Sequence, residues 1–122
     1  MPRTFQISEA HAAAFSEQQR QRFEDEMVEY FKREYTGDVK RIGEPGMRSL
    51  IQDGIRKAET YKITAEADVA RYLQFRVAIA PDFDTTDWAA PLLANERLTP
   101  ARKLQAVADA WAVNGGGADR GR

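Results

Sequence analysis

Few residues in this sequence have the type and spacing that chemistry requires. There is one histidine, His11, and no cysteine. No serine, base and acid are arranged around His11, so it reads as a surface histidine near a helix start and not as a catalytic base. Without cysteine there are no disulfides, thiolate zinc sites or cysteine nucleophile. Asp82, Asp84 and Asp87 form the best metal-like cluster, because calcium takes several oxygens and D-x-D spacing offers two from one loop. An EF-hand loop needs a glycine at its sixth position and a terminal glutamate, and here the sixth residue is Asp87. Capping and turn formation account better for these aspartates, and no metal or other cofactor is expected. Glu24, Asp25 and Glu26 are consecutive, so on a helix they point in different directions and do not converge as an acid and a base. Lys40 with Arg41, and Arg56 with Lys57, are too sparse for a nucleic-acid footprint. The GGG near the C-terminus precedes no helix that would cradle a phosphate. No catalytic residue is nominated, and the chain is expected not to be an enzyme.

The aromatic residues carry more. Tyr61, Tyr72, Phe75, Phe83 and Trp88 fall in one region, with Arg71 and Arg76 among them. Aromatics and arginine dominate the hot spots of protein interfaces. Most of these rings are expected in the core. Those left exposed would form a partner-binding patch, for which Tyr72, Phe75, Arg76, Phe83 and Trp88 are the candidates.

The totals bound what can position such a patch. The chain has 122 residues, 43% apolar and 30% charged, as an ordinary folded domain does. That length predicts one domain with a real core and no need for metal or disulfide staples. The net charge of −1 gives no general attraction to nucleic acid or to an anionic membrane. No apolar run approaches the roughly 20 residues that span a bilayer, and the first residues lack the apolar core of a signal peptide. A cytoplasmic protein with no membrane insertion is expected.

The periodicity predicts an all-α fold, a single compact domain of five to six helices. Residues 1–7 read as an extended lead-in, 8–113 as the helical domain and 114–122 as a flexible tail. Ser8 can cap a short helix through Phe15, and Ser16 with Gln19 makes a capping-box pattern for the next. Phe23, Met27, Phe31 and Tyr35 then recur every fourth residue and mark a buried face, while Glu24 is placed with the solvated one. Residues 8–35 fit one helix or two. Gly37 reads as the stop, and GDVKRIGEPGM as a loop. Pro45 opens a helix with Met47, Leu50, Ile51, Ile55 and Ala58 as its apolar stripe. Gly54 interrupts that stripe, which predicts a close approach by another helix. Thr64 is the expected N-cap of the most apolar helix, about 64–80, which is expected to be central and to end at Pro81. Asp87 is expected to cap a short helix containing Leu92 and Leu93, and Asn95 to Leu98 to turn. Thr99 with Pro100 opens the last helix, whose buried side is Leu104, Val107 and Trp111.

One resemblance adds to this. Arg48, Leu50, Ile51, Gly54 and Ile55 make an R-x-L-I-x-x-G-I helix, followed by Tyr61, Ile63 and Thr64. Glu66, Asp68, Val69, Tyr72 and Leu73 continue as E-x-D-V-x-x-Y-L, then Phe83-Asp84 and Trp88-Ala89. The pattern resembles a group of small bacterial proteins encoded beside type VI secretion effectors and their adaptor chaperones, over most of residues 16–110. That group usually has a glycine where this chain has Lys62, and another before the F-D element, where this chain has Ala80-Pro81-Asp82. The resemblance implies a non-enzymatic accessory role: a co-chaperone or adaptor partner that binds an effector or its adaptor chaperone in a hetero-complex. An immunity protein that binds and inhibits a cognate toxin is the alternative.

Overall fold

Ser16 is the first residue that the computed structural model describes, and Asn114 the last. The expected lead-in, the Ser8 helix, His11 and the tail beyond Asn114 lie outside these residues. Among the described residues six α-helices follow one another: α1 (Glu17–Glu34), α2 (Thr36–Ile42), α3 (Glu44–Thr60), α4 (Glu66–Ala78), α5 (Ala90–Ala94) and α6 (Pro100–Asn114), with a 3-10 turn at Phe83–Thr85. Among the described residues there is no strand, and no helix is long and apolar enough to cross a membrane.

α1 begins as its capping box requires. The Ser16 hydroxyl accepts from the Gln19 N–H at 3.1 Å, and the Gln19 side chain accepts from the Ser16 N–H at 2.9 Å. Phe23, Met27, Val28 and Phe31 are buried. Glu24 departs from expectation: it is only 5% exposed. It lies one turn before Val28, on the side of α1 that meets α3, and Arg48 of α3 donates to it at 2.7 Å. Gln52 donates to its other oxygen at 3.1 Å.

Gly37 is not the stop of α1, which ends at Glu34 with Tyr35 as its C-cap. It lies inside α2, where the expected loop is a helix instead. Tyr35, Val39 and Ile42 recur at helical spacing, pack half-buried against the core, and hold α2 onto its neighbours α1 and α3. A second break comes at Gly43, whose φ of 88° is open to glycine and strained for other residues. Pro45 then sits in the first turn of α3, as expected.

α3 packs against α1, α2 and α4 and buries Met47, Ile51, Ile55 and Ala58. Gly54 marks the crossing with α4. A Cβ there would overlap the Leu73 side chain and lie 3.0 Å from Arg76 Cδ. At its end α3 closes in a Schellman motif: the Lys62 N–H donates to Glu59 O and the Ile63 N–H to Ala58 O, both at 2.9 Å. Lys62 holds the left-handed position, with φ 68°.

That turn displaces the start of α4. It takes up Lys62 and Ile63, so Ala65 and not Thr64 is the N-cap, without a side-chain hydrogen bond. Glu66 and Asp68 occupy the first turn, where they complement the helix dipole. α4 ends at Ala78, two residues before the expected limit, with Pro81 disfavouring helical geometry at Ala80. It lies between α3 and α6, burying Val69, Tyr72 and Leu73. Asp87 does not cap α5: Ala89 is its N-cap, and the Thr86 hydroxyl accepts the Ala89 N–H at 3.2 Å. Thr99 does cap α6, accepting from the Arg102 N–H at 3.2 Å. α5 folds back onto α6 with Leu93 buried, and Leu104 and Val107 close the core from α6.

Candidate functional site

The aromatic region divides into an inner and an outer part. Tyr61 ends α3, Tyr72 and Phe75 lie on α4, and Phe83 opens the 3-10 turn. Their rings form a chain: Tyr61 to Tyr72 at 6.2 Å, Tyr72 to Phe83 at 5.2 Å, and Phe83 to Phe75 at 5.7 Å between centroids. These spacings are those of tilted aromatic packing in a core. Tyr72 and Phe83 are fully buried and Arg76 is 6% exposed, so these three offer a partner no surface in this fold. The Pro81–Thr86 turn folds Phe83 back over the Tyr72 ring of α4, while Arg76 is buried where it crosses Gly54 of α3. Phe75 and Trp88 remain half-buried. The Arg71 guanidinium lies 5.8 Å from the Phe75 ring centre. Trp88 stacks on Trp111 of α6, with centroids 5.7 Å apart and planes at 30°.

Behind the rings lies a polar cluster that the sequence reading did not assemble. Asp84 is 2% exposed. The Tyr61 hydroxyl donates to its Oδ2 at 2.7 Å, and the Lys57 ammonium lies 3.1 Å from the same oxygen. Burial by itself raises the Asp84 carboxyl, but the hydrogen bonds from Tyr61 and Lys57 outweigh it and hold the group below the usual carboxylate range. Burial and the Asp84 hydrogen bond push the Tyr61 phenol up to about 12. Burial also pushes the Tyr72 phenol up; the Asp84 charge adds to this and Arg76 opposes it. Arg76 crosses Gly54 and donates to Asp53 at 3.3 Å, and Arg56 donates to the other oxygen of Asp53 at 3.0 Å. On the far side, buried Lys103 donates to the Tyr61 carbonyl at 2.7 Å, and burial lowers its pKa.

The three loop aspartates do not converge. Asp84 points inward while Asp82 and Asp87 are exposed, and no group of three metal-ligating side chains comes together among the described residues. Glu24 and Asp25, by contrast, do share a neighbour despite being consecutive. One nitrogen of Arg48 reaches both, at 2.7 and 3.0 Å, because a long guanidinium from α3 lies between them. That arrangement pairs charges and joins two helices. A cleft of about 480 Å³ is lined by Ser49, Leu50, Gln52, Asp53, Arg56 and Arg76, among others. Both arginines there already face Asp53, and no nucleophile–base pair accompanies them.

Lys103 was readable in principle. It stands four residues before Val107 and eight before Trp111, on the row expected to be buried. Lys57 and Asp84 are 27 positions apart, and only the α3–α4 turn and the 3-10 turn bring them together. Compared with known protein families, curated proteins and solved structures, the chain matches none.

Proposed function

We propose that this domain is a non-enzymatic protein-binding accessory, a co-chaperone or adaptor partner for a type VI secretion effector or its adaptor chaperone, acting in the cytosol of the producing cell. The reading rests on the resemblance of the Gly54–Leu93 segment and on one feature of the surface. That feature is the stacked Trp88–Trp111 pair, half-buried between the α5 approach and α6. Val113, two residues further along α6, is 83% exposed. Tryptophan is the side chain most enriched at interface hot spots, and a half-buried pair is already ordered, so little rotamer entropy is lost on binding. A partner would cover this pair, keep the cargo out of solution contacts, and leave when the secretion spike supplied competing contacts.

The test is co-expression of the tagged chain with the adaptor chaperone and with the effector encoded beside it. A stoichiometric complex with either, weakened by Trp88→Ala, is the expected result. Relief of effector toxicity by this chain alone would replace the proposal with the immunity reading. Co-purification of neither would remove it.

A further inference from the structure

The cleft beside α3 carries a charge that its own lining leaves unbalanced. Gly46, Ser49, Asp53 and Arg56 stand along one stripe of α3, and Arg76 of α4 and Pro81 line the cleft with them. Asp53 is the one carboxylate of the lining, and two guanidiniums divide it. Arg56 donates to one of its oxygens at 3.0 Å and Arg76 to the other at 3.3 Å. Among the described residues neither arginine has a second acidic partner. Arg76 is where the imbalance costs most, because it is only 6% exposed and its charge is largely removed from water. Its Nε lies against Gly54 and has no hydrogen-bond partner among the described residues. Its contact with Asp53 is longer than the roughly 2.7–2.9 Å of a charge-assisted hydrogen bond. Arg76 also acts on the Tyr72 phenol, but burial raises that group's pKa, so it stays neutral and brings no countercharge. The Asp84 charge is held by Lys57 at 3.1 Å.

We propose that this cleft binds a carboxylate carried on a short apolar stem, with the carboxylate on Arg56 and Arg76 and the stem along Leu50 and Pro81. The cleft's volume of about 480 Å³ suits a ligand of that size. Each guanidinium has five N–H donors and gives one to Asp53, so donors remain for a second carboxylate. The Arg56 side chain is 62% exposed and can turn onto a ligand without leaving α3. Charge selects the class. Two arginines and one aspartate leave a single positive charge, which one carboxylate balances. A phosphate dianion would overshoot it, and a neutral group would leave it uncovered. Asp82 follows Pro81 but is exposed and outside the lining. A free short-chain acid and an acidic side chain of another protein present the same group on the same kind of stem.

Titration of the isotope-labelled full chain with sodium butyrate, at constant ionic strength and followed by NMR, tests this. The expected result is a saturable shift of the α3 amides around Asp53 and of the Arg76 Nε–H. Butyramide, which keeps the stem and lacks the charge, should give none. Arg56→Gln, at an exposed position, should keep the fold and weaken butyrate binding about tenfold. No saturable shift, equal shifts from butyramide, or unchanged affinity in the folded Arg56→Gln variant would overturn the proposal. Tighter binding of inorganic phosphate than of butyrate would overturn it as well. A parallel titration with acetyl-alanyl-glutamyl-alanine amide separates the two sources. Binding tighter than that of butyrate assigns the cleft to a protein side chain, and weaker binding assigns it to a free acid.

Discussion

At the scale of single residues, two positions concentrate the local chemistry. Lys62 is a non-glycine residue with φ 68°, held there by the Schellman hydrogen bonds of α3. The left-handed conformation costs an L-residue about 1–2 kcal/mol, which glycine does not incur. The Lys62 side chain is exposed, so little packing is lost with it. Lys62→Gly is therefore expected to stabilise the domain by about 1 kcal/mol, read as a higher urea midpoint with an unchanged slope. Asp84 is the second position. Its carboxyl ionises below the unfolded value of about 3.9. A depressed folded pKa gives stability that is complete above the unfolded value and is lost as pH falls through the folded one. Asp84→Asn keeps the shape and removes the charge that Tyr61 and Lys57 address, at an expected cost of about 2 kcal/mol at neutral pH. The gap between the urea midpoints of the two proteins should be constant above about pH 5 and shrink below about pH 4. A gap that stays constant to lower pH would show that the Asp84 charge contributes nothing.

At the scale of elements, glycine means opposite things in α2 and α3. Nothing lies within 4 Å of a Cβ built at Gly37, so Gly37→Ala should gain about 0.5–1 kcal/mol of helix propensity. At Gly54 the same substitution drives a methyl into Leu73 and Arg76, and the overpacking of about 1–3 kcal/mol should outweigh the propensity gain. Thermal melts of the two variants are expected to move in opposite directions. The pair also shows how far the elements were legible. Gly54 was read correctly, as a place where helices meet, because it interrupts an apolar stripe. Gly37 was misread as the stop, which comes at Tyr35, because the Tyr35, Val39 and Ile42 stripe that surrounds it is short and shares its span with charged residues. Ser16–Gln19 and Thr99–Pro100 were read from local chemistry alone, which their caps obey. Thr64 and Asp87 have the same chemistry but lose the cap to neighbouring turns, the Schellman turn at Lys62 and the Thr86 turn. The candidate site was legible as a cluster of rings but not as inside or outside. That division depends on the 3-10 turn folding Phe83 over α4, and nothing in the ring spacing states it.

At the scale of the whole molecule, the chain from α1 to α4 forms one packed body, and α5 with α6 completes it through the contact of α6 with α4 and the Lys103 hydrogen bond to the Tyr61 turn. Of the half-buried aromatic side chains, Trp88 and Trp111 lie on this second part, while Tyr30 and Tyr35 lie on the first. The chain has two tryptophans, and they are the stacked pair. Labelling with 5-fluorotryptophan therefore gives two fluorine resonances, both reporting on the proposed surface. Addition of the adaptor chaperone or the effector should shift both. Two substitutions then separate surface from core. Trp88→Ala should weaken binding at least about tenfold, since a hot-spot aromatic carries about 2 kcal/mol or more and each 1.4 kcal/mol is a decade in affinity. Phe83→Ala, at a fully buried ring, should cost about 3–5 kcal/mol of folding stability. Measured well below its melting temperature, where it stays folded, that variant should bind with unchanged affinity. Equal losses of affinity from Trp88→Ala and from folded Phe83→Ala would mean that the partner opens the 3-10 turn and reads the inner rings directly. The two outcomes place the binding energy on different sides of that turn.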